Sequence, residues 1–407
     1  MLIIKNGILH TMTSDTDDDI CGSIVIDNGK ILKIINGYMD EDFFNSFASH
    51  SIINADGLHV YPGFIEAHCH IGITEAKMGK EGDDCNENVN PITPWLRAID
   101  AINPMDTAFS EAVRAGITSV MAGPGSSNVV GGQFMVLKTG SSGTNARNIS
   151  KLTLLEPSAM KAAFGENPKF TYGPNKSMPS TRMGVAGLLR EELSNAKAYC
   201  DKRKHGGEYD FRLEAWVNVF DGKIPLKTHV HRADDIMTAI RIAKEFGISL
   251  TLDHCSEGHL IAEEIAKSGF PAIVGPDLAS RNKIEVRNAA FKTAGILHNA
   301  GVLTAITTDH PVSLIQTLPF CAGLAAKCGL GKYNALKAIT INAARICRTD
   351  KRTGSLEEGK DADIAIFDGF PLEIFTNCIY TIIDGNIVYN YNKEKANDFN
   401  GASPQFV

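Results

Sequence analysis

The nine cysteines include no Cys-x-x-Cys pair, and their number is odd. That absence argues against a disulfide framework and against a cysteine-only zinc site, so most are expected to be buried thiols. A basic surplus is also missing. Lys and Arg number 40 against 47 Asp and Glu, a net charge of −7, and the densest basic run is Lys202-Arg203-Lys204. Followed by His205-Gly206, that run reads as a helix C-terminus, so no nucleic acid is expected as a partner. No stretch approaches the roughly 18 uninterrupted apolar residues of a spanning helix, so no membrane partner is expected. Met1 to Lys5 lacks the basic-then-apolar layout of a leader, so the expected location is cytoplasmic.

What is present is globular in balance: 43% hydrophobic and 21% charged residues in a chain of 407. From Leu2 to about Ile53, short β segments alternate with turn pairs such as Asn28-Gly29, and the same texture returns between Gly354 and Tyr389. Both ends are therefore expected to share one small composite β-sandwich domain. Between Leu58 and Arg348, strand-like apolar runs alternate with amphipathic helical patterns. Eight candidate strands lie near 60–66, 117–122, 133–138, 152–161, 226–231, 248–254, 271–275 and 302–309. Helices predicted over 105–115, 234–246 and 258–268 each stop at a glycine, Gly116, Gly247 and Gly269. The expected fold is α/β: a (β/α)8 TIM-like barrel over 58–348, with the sandwich built from 1–57 and from 349–407 with its tail.

The chemistry-bearing residues gather at predicted strand ends. His68 and His70 close the first barrel strand, and residues two apart on a strand point to the same face. His229 and His231 repeat the pattern on the fifth strand, His254 closes the sixth and Asp309 the eighth. Active sites of this fold lie at that end of the barrel. Five of the 12 histidines and an aspartate thus converge from four units, a donor set suited to a divalent metal.

The blocks Gly57 to His70, with Pro62-Gly63-Phe64-Ile65 ahead of His68-Cys69-His70, then His229 to Asp235, Asp253-His254, Thr308-Asp309-His310 and Gly354 to Asp363 span nearly the whole chain. Together they resemble the amidohydrolase superfamily of metal-dependent hydrolases, in its imidazolonepropionase-like and prolidase-like members. The resemblance implies that His68, His70 and Asp309 bind the more buried ion, that a histidine of the fifth strand is a further ligand, and that His254 binds a second ion or the substrate carbonyl. The fifth strand offers two histidines: His229 is the favoured ligand, leaving His231 beside the ion or the substrate. Two-metal relatives carry a carboxylated lysine on the fourth strand, which places Lys161 as the bridging candidate and Glu166 as its alternative.

The implied cofactor is one or two divalent ions, zinc first. The implied reaction is hydrolysis of a C–N bond in a cyclic amide, N-acyl or dipeptide-like small molecule by metal-activated hydroxide. Asp309 would act as base and then acid, while His254 or His231 polarises the carbonyl. A ring deaminase on the same scaffold and a non-catalytic assembly protein of the same fold are the alternatives, and a homo-oligomer is the expected assembly. Outside the resemblance, Trp95 in the long segment Lys80 to Pro104, and Arg281 and Arg287 after the seventh strand, are the candidate substrate contacts. Gly123 to Gly132 lacks the spacing of a phosphate-binding loop and is expected to be a loop at the barrel mouth.

Overall fold

The computed structural model describes the chain apart from residues 15, 17, 18, 41, 42, 45–49, 142–147 and 400–407. The last eight residues of the expected C-terminal segment thus lie outside the described residues. Five strands come first: β1 (Leu2–Leu9), β2 (Ile20–Asp27), β3 (Lys30–Asn36), β4 (Ser51–Asn54) and β5 (His59–Pro62). Eight barrel strands follow: β6 (Phe64–Cys69), β7 (Ile117–Ala122), β8 (Val130–Lys138), β9 (Thr153–Ala163), β10 (Leu226–Val230), β11 (Leu250–His254), β12 (Ala272–Val274) and β13 (Thr304–Ile306). The last three are β14 (Ile364–Phe367), β15 (Cys378–Ile383) and β16 (Asn386–Asn390).

The terminal strands do join. They form one sheet in the order β16-β15-β14-β5-β1-β2-β3, with β4 beside β1, which is consistent with a composite sandwich domain. Its turns are chemically determined: Asn28-Gly29 and Asp384-Gly385 each place two successive residues at positive φ, as a tight two-residue hairpin requires. Ile4, Ile24, Ile26, Val60, Ile364 and Ile382 fill a core of its own.

The other eight strands form a nearly closed barrel in sequence order, β6 to β13. Between its ends the Thr307 hydroxyl donates to His68 O at 2.6 Å, and the His70 N–H to His310 O at 2.8 Å. Two sequence expectations need correction. The run 60–66 is split: His59–Pro62 belongs to the outer sheet and Phe64–Cys69 to the barrel. Gly63 makes the transition because the chain presses on β7 there; a Cβ on Gly63 would lie 2.1 Å from Thr118 Oγ1.

The third barrel strand also runs against its neighbours. β8 is antiparallel to β7 and β9, so the sheet is mixed rather than a strict (β/α)8 repeat. Seven residues, 123–129, link β7 to β8, too short for the crossover a parallel pair needs. This link puts Gly123 at the barrel mouth, where its carbonyl accepts from His70 Nδ1 at 2.7 Å.

Helices pack outside most of the remaining strands: α1 (Thr107–Arg114), α2 (Glu166–Tyr172), α3 (Arg182–Arg203), α4 (Ala233–Phe246), α5 (Ala262–Ser268) and α6 (Thr293–Asn299). α4 and α5 stop at Gly247 and Gly269 in the left-handed conformation, as read from the sequence. The basic run Lys202-Arg203-Lys204 ends α3. Among the described residues no helix is long and apolar enough to cross a membrane. Seven of the nine cysteines are buried free thiols.

Candidate active site at the barrel mouth

The parallel strands bring their C-terminal ends together around a row of five buried histidines. Ring centroids are separated by 5.4 Å for His70–His68, 4.9 Å for His68–His254, 4.5 Å for His254–His229 and 4.5 Å for His229–His231. On β11, Thr251 and Asp253 share the inward face, so simple alternation would turn His254 away. His254 instead has φ 78°, and the left-handed turn brings it beside His68 and Asp309. Asp309 has φ 52° at the corresponding point after β13. Non-glycine residues held this way cost on the order of 1–3 kcal/mol each, a strain concentrated at functional sites.

Hydrogen bonds fix which imidazole nitrogen faces the centre. His70 Nδ1 meets Gly123 O at 2.7 Å, and His254 Nδ1 meets Gly275 O at 2.8 Å. A carbonyl only accepts, so both rings carry hydrogen on Nδ1, and His254 presents Nε2 as a bare lone pair; burial lowers the His70 pKa, but Cys85 and Asp309 outweigh it and raise it to about 10. His68 Nδ1 likewise faces Asp253 Oδ2 at 2.9 Å. Burial, with Lys161 and Lys227 adding, holds His68 well below the usual histidine pKa. Burial likewise keeps His254 and His229 well below it, and His231 is lowered to about 4. Neutral imidazoles are the form that ligates metal.

Asp309 completes the first end of the row. Its Oδ1 lies 3.2 Å from His70 Nε2 and 3.5 Å from His68 Nε2. Ligands around a tetrahedral ion with bonds of about 2.1 Å are separated by about 3.4 Å. Both separations from Asp309 match a divalent ion, and the three donor atoms lie within 4.8 Å of one another. Asp309 Oδ1, His68 Nε2 and His254 Nε2 are buried without a hydrogen-bond partner, which is the condition of groups shaped for a ligand. Burial opposes charge on Asp309, but His254, the nearby His70 and Lys161 outweigh it and hold its pKa below the usual range.

Lys161 sits on β9 beside Lys227 of β10, fully buried, its Nζ without a hydrogen-bond partner. Burial lowers its pKa to about 8 against the pull of Asp253 and Asp309. At the other end of the row stands Glu285, from the loop after β12, 3.7 Å from His229 Nε2.

The structure thus gathers His68, His70, His229, His231, His254, Asp309 and Lys161 at one place. It does not bring Trp95 there. That ring stacks under the Arg212 guanidinium at 4.5 Å and lines a separate cleft of about 560 Å³ with Tyr199 and Lys202. Its segment does reach the mouth, through Cys85. The thiol is pushed up by burial and pulled further down by the adjacent His70. Arg281 and Arg287 are exposed on the loop after β12; Arg281 acts on Asp277, offsetting the burial that leaves that carboxyl at about 6. Glu166 is buried at the start of α2 and offers its N–H to Glu285.

Sequence reasoning missed Glu285 and the carboxylate–lysine pair behind His68. Asp253 accepts from His68 and from the Lys227 ammonium, which lies 3.3 Å away and also donates to Ala67 O. It missed Glu66 too, which accepts from Thr308 N and Oγ1 and is raised to about 7 by burial. The one sequence signal was period two at Lys227, two residues before His229 on β10; Asp253, one residue before His254, had none.

The chain has relatives among known proteins. It is 37% identical to an amidohydrolase from Thermotoga maritima MSB8 of solved structure, covering 96% of this chain and 100% of that one with a TM-score of 0.89. It is 27% identical to the imidazolonepropionase of Picrophilus torridus over 96% of this chain and 99% of that protein. It is 26% identical over 95% of its length to amidohydrolase tasK of Hapsidospora irregularis, of which it spans 43%. The model of the amidohydrolase family matches residues 59–405, and the chain belongs to that family.

Proposed function

We propose that this chain is a metal-dependent hydrolase of carbon–nitrogen bonds in small molecules: cyclic amides, N-acyl compounds or dipeptide-like substrates. The observation that supports this most is the convergence of His68, His70 and Asp309, with His68 Nε2 and Asp309 Oδ1 buried and unpartnered. These three would hold one ion; His229, His254 and Lys161 are the proposed ligands of a second, and zinc is the favoured metal. A divalent ion, when bound there, supplies Lewis acidity that makes water a stronger nucleophile and a carbonyl a better electrophile.

Asp309 is the proposed proton carrier. Its depressed pKa keeps the carboxylate ionised, ready to accept hydrogen from the attacking water at Oδ2 and return it to the departing nitrogen. His254 serves better as a ligand than as a donor to the developing oxyanion, because its hydrogen is committed to Gly275 O. Lys161, a buried amine lowered to about 8, has the neutral form that adds carbon dioxide, as the proposed carboxylation requires. Asp253 and Lys227 hold the His68 ring in place, a carboxylate–histidine arrangement that raises ligand basicity.

The test is release of amine from a panel of N-acyl amino acids, dipeptides and cyclic amides by the zinc-loaded chain and by Asp309→Asn. Turnover is expected to fall about 10³-fold or more in the variant while the melting transition is retained. Unchanged turnover in a metal-loaded Asp309→Asn would sink the assignment. Release of ammonia from ring amidines alone would replace the hydrolase reading with a deaminase.

A further inference from the structure

The two ends of the barrel sheet, β6 and β13, meet at a seam, yet among the described residues no strand ladder joins them. One backbone hydrogen bond, from the His70 N–H to His310 O at 2.8 Å, crosses that seam at the mouth. The ligands proposed for the first ion are divided by it. His68 lies on β6 and His70 just beyond its end, whereas Asp309 follows β13. Their separation therefore depends on side chains, and Glu66, Thr307 and Thr308, all fully buried, supply them. Glu66 Oε1 accepts from the His68 N–H at 3.1 Å. Its Oε2 accepts from the Thr308 N–H at 2.8 Å and from the Thr308 hydroxyl at 2.6 Å. The Thr307 hydroxyl donates to His68 O at 2.6 Å and accepts from the Asp309 N–H at 2.9 Å.

We propose that Glu66 is a positioning residue for the metal centre: its carboxyl closes the seam between β6 and β13 and so holds Asp309 against His68 and His70. The inference rests on the metal-dependent reading above, in which Glu66 has no part. Glu66 precedes His68 by two residues on β6, so both side chains share the inward face, with Glu66 the deeper of the two. Each of its oxygens answers a backbone N–H, one from either side of the seam, so Glu66 acts through the chain that carries the ligands. Asp309 needs such a hold. Its φ of 52° is a strained conformation, which persists only where the surroundings over-determine it, and the bonds of Thr307 and Thr308 fix the two residues before it.

The rival reading makes Glu66 a part of the barrel core and nothing more. An apolar side chain would fill that space at less cost, since a buried carboxyl loses its hydration. The bond pattern also calls for a carboxyl in particular. Two backbone N–H groups meet two different oxygens, whereas an amide has one oxygen only. In Glu66→Gln the NH2 group must therefore face either the His68 N–H or the Thr308 N–H. Two donors do not share a hydrogen bond, so one side of the seam is released while the volume of the side chain is kept. Thr308 tests the same link from the other side: serine keeps its hydroxyl, and valine keeps its branched shape without it.

The experiment reads metal affinity and stability separately on the full chain. Wild type, Glu66→Gln, Thr308→Val and Thr308→Ser are titrated with zinc in competition with a chelating dye, and each metal-free chain is unfolded in urea. Asp309→Asn, titrated alongside, marks which affinity belongs to the ion at His68 and His70. That affinity is expected to fall about 100-fold in Glu66→Gln and about 10-fold in Thr308→Val, and to keep its wild-type value in Thr308→Ser. A lowered urea midpoint with wild-type zinc affinity in Glu66→Gln would overturn the inference, leaving Glu66 to the barrel core. Equal weakening by Thr308→Ser and Thr308→Val would overturn it too; both results leave the proposed function standing. A wild type that takes no zinc would overturn both. If Glu66→Gln does not fold, Thr308→Val is read in the same way.

Discussion

Lys138 and Lys161 lie on adjacent strands and are both buried, yet their surroundings are opposite. Lys138, at the end of β8 away from the mouth, meets Asp361 at 2.9 Å, Asp363 at 2.9 Å and Asp384 at 2.6 Å. Burial works against its charge, but the three carboxylates prevail and push its pKa above the ordinary lysine value. Lys161, beside the histidine row, has no hydrogen-bond partner, and its pKa falls to about 8. The difference separates two uses of buried charge. At the closed end, charge is saturated and ties the barrel to the C-terminal strands; at the mouth, polar atoms are left open for something that binds.

Exchanging each lysine for methionine sharpens this contrast. Lys138→Met leaves three carboxylates facing one another and is expected to cost about 3–5 kcal/mol of stability, read as a large fall in the denaturant midpoint. Lys161→Met removes an amine with no hydrogen-bond partner, so the fold is expected to keep its midpoint to within about 1 kcal/mol. Turnover in Lys161→Met is expected to drop about 100-fold, because the lost amine belongs to the proposed metal surround. Equal destabilisation by the two substitutions would break the comparison.

The closed end also has a pH signature. The Asp361 carboxyl is resisted by burial but lowered to about 2 by Lys138 and by hydrogen bonds from Lys30 and Arg352. A depressed carboxylate contributes its full stabilisation above the ordinary value and loses it as pH falls toward the folded one. Stability worth about 2 kcal/mol should therefore disappear between about pH 4 and pH 2. Asp363, raised by burial, works in the opposite direction. Wild type and Asp361→Asn, unfolded in urea across this range, should converge as the pH drops; a constant gap would contradict the assignment.

Much of this layout was legible before any coordinates. His68, His70, His229 and His231 announced themselves through strand periodicity, and His254 through its place at the end of the apolar run that follows the Gly247 helix stop. The outer sheet was legible from Asn28-Gly29 and Asp384-Gly385, since local turn chemistry needs no tertiary context. The direction of β8 was not, because an apolar run looks the same in either direction and only the shortness of residues 123–129 excludes a crossover. Glu285, in the loop after β12, and Asp253 and Lys227, on β11 and β10, were hidden for a different reason: a charged residue reads as surface until its neighbours are known. Trp95 shows the converse, since a long segment near the mouth does not reveal which of its side chains turn inward.

The unpartnered atoms at the mouth are proposed to hold a metal. Anomalous diffraction at the zinc edge, from crystals of the zinc-loaded wild-type chain, tests that claim most directly. The predicted result is a peak bounded by His68 Nε2, His70 Nε2 and Asp309 Oδ1. A fully loaded crystal with no peak at that position, or with zinc only on surface residues, would contradict it.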